Sequence, residues 1–491
     1  MGTTMPEALY EAFAALIGNI SNVMYSYILI ILLLAVGLYF TLRSRFVQLR
    51  MLGESVRVVG EKSSDKNAVS AFEALMVSTA SRVGTGNIVG VANAIAIGGY
   101  GAVFWMWIIA VVGGASAFIE STLAQIYKKR DPEGGSYGGP AYYIQAALKS
   151  RALGVVFAVA LIATYAGGFN MLAAFNLIDS MSGYAFYDKA SAVIMGESVN
   201  LVPVIGGAVL AVLVAVCVLG GGKRIVKVTG VLVPVMGVLY ILMALVVMVM
   251  NIGMLPAVLG KIFTAAFDVK AIFGGAAGFG SSAVMQGIKR GLYSNEAGVG
   301  SAPNAAAAAN VSHPVKQGLV QMLSVFIDTI LICTATAMMA LCTGIEPSES
   351  LKGAPFVQQS LATTFGVVGP YFITFALLLF AFTTLLGNLF YCEGCLNYIA
   401  GRTLRRSSMN LFRIIACAVV FVGAQLEFGL VWDIADVLMG IMALINLPVI
   451  LILGNTALKA LNDYMAQKRT GRNPVFKAAS IGLKEETDFW K

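Results

Sequence analysis

An all-helical, polytopic membrane protein is the fold class that this sequence predicts, and three observations predict it. Hydrophobic residues make up 58% of the 491 residues and charged ones only 12%, where a soluble domain carries about 25% charged residues. Apolar runs long enough to cross a bilayer, at roughly 20 residues each, recur along the whole chain. Basic residues gather in every second loop, the pattern expected of cytoplasmic loops. Mean hydropathy is +0.82.

Taken in order, the apolar runs predict eleven transmembrane helices. The first is Val23–Leu42, and Met1–Asn22 before it has no basic residue and no cleavage pattern of a signal peptide. Phe72–Ile97 and Ala102–Tyr127 follow, then Leu153–Ile178, Leu201–Leu219 and Val226–Ile252. Ile272–Ile288 comes next with an irregular continuation, then Val320–Cys342, Val367–Ile399, Leu411–Ala424 and Val431–Gly454. Arg43, Arg45, Arg50, Arg57, Lys62 and Lys66 lie in the first basic loop. Lys128-Lys129-Arg130, Lys223-Arg224, Lys289-Arg290 with Lys316, Arg405-Arg406 and the tail Lys468-Arg469 fall on the same side. An odd number of spans preserves this alternation, with the N-terminus outside and the C-terminus in the cytoplasm of a cell whose plasma (inner) membrane holds the protein. The net charge of +8 is thereby explained by topology and calls for no nucleic-acid partner.

The second run is interrupted. Ser78-Thr79-Ala80-Ser81-Arg82-Val83-Gly84-Thr85-Gly86-Asn87 sits in the middle of Phe72–Ile97, and backbone freed by glycines inside a membrane must find partners in protein or in a bound solute. A similar interruption, Gly274-Gly275-Ala276-Ala277-Gly278-Phe279-Gly280-Ser281-Ser282, comes five spans later. Paired glycine-interrupted segments in matching halves point to a midplane site between inverted repeats. The chain divides accordingly into an extra helix and linker (1–67), a first repeat (68–252), a second repeat (253–455) and a cytoplasmic tail (456–491).

Other classes fit poorly. No Gly-x-x-x-x-Gly-Lys-Ser/Thr phosphate loop is present, no segment resembles a channel filter, and the single histidine, His313, lies in a loop with no catalytic arrangement around it. Cys392-Glu393-Gly394-Cys395 has no second pair and no neighbouring His, so it reads as part of an apolar helix. The residues alone describe a secondary transporter of a small polar or zwitterionic solute, not an enzyme and without a cofactor.

Gly98-Gly99-Tyr100-Gly101-Ala102-Val103-Phe104-Trp105-Met106-Trp107 resembles the signature of the sodium:alanine (alanine or glycine:cation) symporter family. Arg82-Val83-Gly84-Thr85-Gly86-Asn87, Gly138-Gly139-Pro140-Ala141-Tyr142-Tyr143 and Asn295-Glu296-Ala297-Gly298 resemble it too. The resemblance covers nearly the whole chain. It implies the five-plus-five inverted repeat of the leucine-transporter fold behind one extra helix, and sodium-coupled uptake of a small neutral amino acid, alanine or glycine. A proton-coupled carrier of another small zwitterion is the alternative.

Half-helix N-termini favour a carboxylate, so Gly84, Thr85, Gly86 and Asn87 are candidate substrate residues. Ala276, Gly278 and Phe279 would meet the ammonium and the side chain, with Tyr165, Phe169 and Asn170 as walls. Sodium, a hard cation, takes oxygen ligands, and the comparison assigns them to Ala80, Val83, Thr383 and Thr384. Mid-helix threonines also back-bond to their own helix, which leaves a second reading of Thr383 and Thr384. Intramembrane charges are functional candidates. Glu120 is assigned to bracing the second break, and Arg82 is expected to have a carboxylate partner. Asp328 has three roles open to it: cation ligand, proton carrier, or partner of Arg82.

Overall fold

The computed structural model describes residues 7–491 except 64, 66–67, 132–134, 195–196 and 269–281. Among the described residues, nine helices are long and apolar enough to cross a membrane, and two shorter apolar helices, Thr85–Gly98 and Leu255–Ala266, accompany them. The strands among the described residues form two short hairpins, Lys129–Arg130 with Ser136–Tyr137 and Ser191–Ile194 with Glu197–Asn200. Large apolar side chains such as Val212, Val216, Val231 and Leu242 stand exposed on the outer helices. In water such a surface would aggregate; in a bilayer it is the face that meets lipid.

The helices follow the apolar runs but overreach them at the ends, because a helix continues into water wherever a cap allows it. The first helix starts at Glu7 rather than Val23 and runs to Arg43 through a π-helical turn at Met24–Leu29. The last runs Phe428–Arg469, fifteen residues beyond the apolar run that ended at Gly454. Two further π-helical turns, Ala163–Phe169 and Phe326–Cys333, interrupt other spans. Such turns widen a helix locally and are frequent at functional positions. Here they contain Tyr165, Phe169 and Asp328.

Small residues let the central helices approach closely, as membrane helices require. Gly101–Ile126 packs against both Ala283–Asn295 and Pro314–Val325. A Cβ at Gly291 would stand 2.5 Å from Ile109 Cγ2, and one at Gly318 would press 2.8 Å from the Phe118 carbonyl.

The loop residue His313 is in fact a cap. It is buried, and its Nδ1 accepts from Val315 N at 3.2 Å at the start of the helix Pro314–Val325. Its other nitrogen faces Asp463 at 3.2 Å. The end of the chain docks beside it, with Phe476 N donating to Ser312 O at 2.9 Å and Trp490 Nε1 to Gln125 O at 2.8 Å. Lys129 pairs with Asp488 at 2.9 Å.

Glu54, on the short helix Leu52–Val59 between spans, is a local electrostatic anchor. Burial by itself would raise its pKa, but hydrogen bonds from Arg57, Lys468 and Tyr464 outweigh it and hold the carboxyl at about 2. A depressed folded-state pKa adds stability above the unfolded value and loses it as pH falls through the folded one. Glu54→Gln is therefore expected to lower thermal stability at pH 7 by on the order of 1 kcal/mol, allowing for solvent screening. The gap to the parent protein should close as pH drops from about 4.5 towards 2. Melting curves of the two proteins in detergent at pH 7, 4 and 3 test this, and a gap independent of pH would refute it.

Candidate functional site

The helix Ala71–Arg82 begins with a capping box: Ser70 Oγ accepts from Glu73 N at 3.1 Å, and Glu73 Oε2 accepts from Ser70 N at 2.8 Å. It ends because Val83 leaves helical geometry at ψ 85°. After Gly84 a single 3-10 turn, Thr85–Asn87, leads into the second arm, Val89–Gly98. Asn87 staples the interruption, its Oδ1 accepting from Gly84 N at 2.8 Å and its carbonyl from Thr336 Oγ1 at 2.7 Å. Thr85 Oγ1 accepts from Asn176 Nδ2 at 2.9 Å. Both glycines are needed for close approach: a Cβ at Gly84 would overlap Thr384 Oγ1, and one at Gly86 would overlap the ring of Tyr293.

A second interruption lies at 296–302. The helix Ala283–Asn295 stops at Glu296, which adopts a left-handed conformation (φ 53°), and Gly298 and Gly300 follow at φ 85° and 90°. Helix resumes at Pro303–Ala308. The break that the sequence reading places at 274–282 is a different stretch, and all of it but Ser282 lies outside the described residues. Ala276, Gly278 and Phe279 lie outside the described residues, whereas the Asn295-Glu296-Ala297-Gly298 motif is itself a break. Ala283–Asn295 runs antiparallel to Val89–Gly98: Gly98 abuts Gln286 and Ala283, Gly90 faces Arg290, and Gly86 meets Tyr293. The two breaks therefore lie at the same depth.

Side chains join them. Ser81 Oγ donates to Asn388 Oδ1 at 2.7 Å and lies 3.3 Å from Glu296 Oε1, while Ser301 Oγ donates to Glu296 Oε2 at 2.7 Å. Asn388 Nδ2 reaches Asn170 Oδ1 at 3.0 Å. Glu120 braces the second break from behind, Oε1 accepting from Gly298 N at 3.3 Å and Oε2 from Asn446 Nδ2 at 2.8 Å. Asn446 also donates to Gly298 O at 2.9 Å. The freed backbone thus has partners on both sides.

Thr383 and Thr384 part company. Thr384 Oγ1 donates to Ala80 O at 3.2 Å, on the face toward the first break, and stands against Gly84. Thr383 Oγ1 instead donates back to Leu379 O at 2.9 Å and lies beside Met236 Sδ. Adjacent residues on a helix point about 100° apart, so one hydroxyl faces the break and the other does not.

Asp328 sits fully buried in its π-helical turn. Its Oδ1 accepts from Asn87 Nδ2 at 2.7 Å, and its Oδ2 from Ser294 Oγ at 2.6 Å and Thr329 Oγ1 at 2.8 Å. Its partners are thus neutral donors, and Arg82 is not one of them. Arg82 donates from one terminal nitrogen to Gln321 O at 3.2 Å, and no carboxylate lies within 4.0 Å of it among the described residues.

Tyr165 and Phe169 pack with ring centroids 4.9 Å apart, Phe169 and Tyr293 at 4.7 Å, and Tyr293 and Trp432 at 5.1 Å, each pair tilted at 46–52°. Arg290 lies over Trp432 at 4.2 Å. Beyond this aromatic row, Asp436 pairs with Lys289 at 2.8 Å and with Arg290 at 3.1 Å. Lys289 and Arg290, read from the sequence as a loop cluster, are buried on a helix. Asp436 lies inside the apolar run Val431–Gly454, and an intramembrane carboxylate was the available signal that cations must be near it. Ser294 and Asn176 also escaped the sequence reading, and Glu296 entered it only as part of a family motif. For Glu296 the signal was a carboxylate followed by Gly-x-Gly-Ser within an apolar stretch.

Chemically, the first break places the start of a half-helix at Thr85–Asn87, whose positive dipole end suits an anionic group. Carbonyls, hydroxyls and carboxylates surround it, suited to an ammonium or a hard cation. Comparison with known proteins agrees with this chemistry. The sodium:alanine symporter family matches residues 10–478. The amino-acid carrier protein AlsT of Bacillus subtilis is 44% identical over 479 residues, covering 98% of each chain. The sodium/alanine symporter AgcS of Methanococcus maripaludis is 38% identical over 92% of this chain and 98% of its own. A crystal structure of MhsT in complex with L-phenylalanine shares the fold at a TM-score of 0.52 and 13% identity, over 79% of this chain and 89% of that one. With a matching profile over almost its full length and close relatives end to end, this chain belongs to the sodium:alanine symporter family.

Proposed function

We propose that the protein is a sodium-coupled symporter that brings a small neutral amino acid, alanine or glycine, across the plasma (inner) membrane by alternating access. The family is one of multi-pass membrane transporters, not enzymes. The observation that carries the reading is the meeting of two helix breaks at one depth, cross-linked through Ser81, Asn388 and Glu296 on one side and through Asn87, Ser294 and Asp328 on the other. In this reading the start of the arm at Thr85–Asn87 receives the carboxylate, and Tyr165 and Phe169 wall the side chain. Sodium takes oxygens from Ala80, Val83 and Thr384. Thr383 supports that helix from behind. Residues 68–252 and 253–455 form the two repeats, the N-terminus lies outside, and the tail from 456 is cytoplasmic.

A second reading, coupling by protons, is favoured by one observation: Asp328 is fully buried beside the first break with only neutral hydrogen-bond donors around it. Uptake of labelled L-alanine into liposomes containing the purified protein separates the two. Accumulation that requires an inward sodium gradient and is blocked by unlabelled glycine, but not by leucine, is the expected result. Uptake that ignores sodium and follows a proton gradient moves the coupling to Asp328. No amino-acid uptake under either gradient removes the substrate assignment.

A further inference from the structure

A cavity of the described structure lies away from the proposed transport site. It is a cleft of about 370 Å³ between the end of the first helix and the extension of the last, and five of its lining residues are cations: Arg43, Arg45, Arg50, Lys459 and Arg469. No Asp or Glu lines it. The carboxylates nearby are engaged elsewhere, Glu54 with Arg57 and Lys468, and Asp463 with His313. Among the described residues, no carboxylate lies within 4.0 Å of any of the five cations. Arg45, Lys459 and Arg469, all exposed, make no side-chain hydrogen bond there either. Five like charges around one cleft repel one another, and an anion between them relieves that repulsion.

The cleft's position selects the anion. It opens where the apolar helix Leu9–Arg43 ends, and exposed Leu42, Phe46 and Leu49 flank its first three arginines while exposed Ile452 precedes Asn455 and Lys459. Apolar surface and a basic pocket therefore meet at one membrane–water boundary, which suits a ligand with acyl chains and a charged head. Arg45 and Phe46 both hold left-handed backbone conformations (φ 56° and 58°). This turn folds the short helix Val47–Arg50, with its arginine, back onto the end of the first helix. Asn455 and Asn462 add neutral amide donors from the opposite wall. Arginine forks match phosphate oxygens in geometry as well as charge, and basic pockets at the boundary are where anionic headgroups bind.

The geometry points to a specific site for the phosphate headgroup of an anionic phospholipid, clamped between the first and last helices. The test uses the full chain purified in a mild, lipid-free detergent. Binding of dioleoylphosphatidylglycerol, dioleoylphosphatidylcholine and inorganic phosphate is measured by native mass spectrometry and by thermal stabilisation. Phosphatidylglycerol should bind at one copy per chain and raise the melting temperature, with phosphatidylcholine at least tenfold weaker. The triple variant Arg45→Gln/Lys459→Gln/Arg469→Gln should lose at least tenfold in affinity for phosphatidylglycerol. A control with the same charge change elsewhere, Lys223→Gln/Arg405→Gln/Arg406→Gln, should keep it. Equal loss in both triple variants would reduce the effect to overall charge and overturn the site. So would equal binding of the two lipids. Stabilisation by millimolar inorganic phosphate with no preference between lipids would assign the cleft to a soluble anion instead. If the first triple variant fails to fold, Arg45→Gln alone, on the exposed turn, carries the same comparison.

Discussion

Asp328→Asn lowers the initial rate of driven alanine uptake about a hundredfold while leaving the protein folded. The carboxylate accepts three hydrogen bonds, from Asn87 Nδ2, Ser294 Oγ and Thr329 Oγ1, at 2.6–2.8 Å. An asparagine has nearly the same shape but one acceptor oxygen and one NH2. With its NH2 toward Asn87 a donor meets a donor, and with its NH2 toward Ser294 and Thr329 both hydroxyls must turn round to accept, losing their bonds to a charged acceptor. Hydrogen bonds to a charged group contribute roughly 1.5–3 kcal/mol each, and about 2.7 kcal/mol corresponds to a factor of a hundred. Asn87 is the residue most affected, because the same side chain closes the first break through Gly84. The effect should therefore appear in transport before it appears in folding. Initial uptake rates in liposomes, alongside size-exclusion profiles and melting temperatures, test this. A rate within threefold of the parent would show that the Asp328 cluster does not shape the transport site.

Asp436→Ala should produce the largest loss of stability. Asp436 is completely buried between Lys289 and Arg290, whose side chains are only 6% and 8% exposed. Lys289 also donates to Ser21 Oγ at 3.0 Å and lies over Tyr25 at 4.9 Å, so the cluster ties the first helix to the second broken helix and the last helix. Removing the carboxylate strands two desolvated cations, at a cost of about 3–5 kcal/mol. Replacing all three by apolar residues, Lys289→Met/Arg290→Met/Asp436→Leu, should recover most of that loss, because the penalty comes from unpaired charge rather than missing volume. Thermal unfolding in detergent of the single and triple variants decides it. If the triple variant melts as early as Asp436→Ala, the contribution is one of packing and not of charge.

The sequence by itself determined what depends on local pattern. Long apolar runs between basic loops made the chain a bundle of membrane helices, because every backbone group in hydrocarbon must be paired within its own helix. Ser, Gly, Thr and Asn in mid-run exposed the first break, because no such run continues an uninterrupted apolar helix. Glu120 stood out as an intramembrane carboxylate, and the structure gives it donors at Gly298 and Asn446.

The tertiary structure alone decided what depends on which segments meet. The stretch 296–302 carries a family motif, and its composition alone did not mark it as an interruption of a helix. Glu296, Gly298 and Gly300 take left-handed geometry at the depth of Gly86, and depth is a property of packing. Lys289 and Arg290 look like loop charges until a helix 146 residues further on brings Asp436 between them. Thr383 and Thr384 are chemically alike and adjacent, and only the rotation of their helix turns one hydroxyl toward Ala80 and the other toward Met236. Helix rotation is set by side chains arriving from distant parts of the chain, so no local window of sequence contains it.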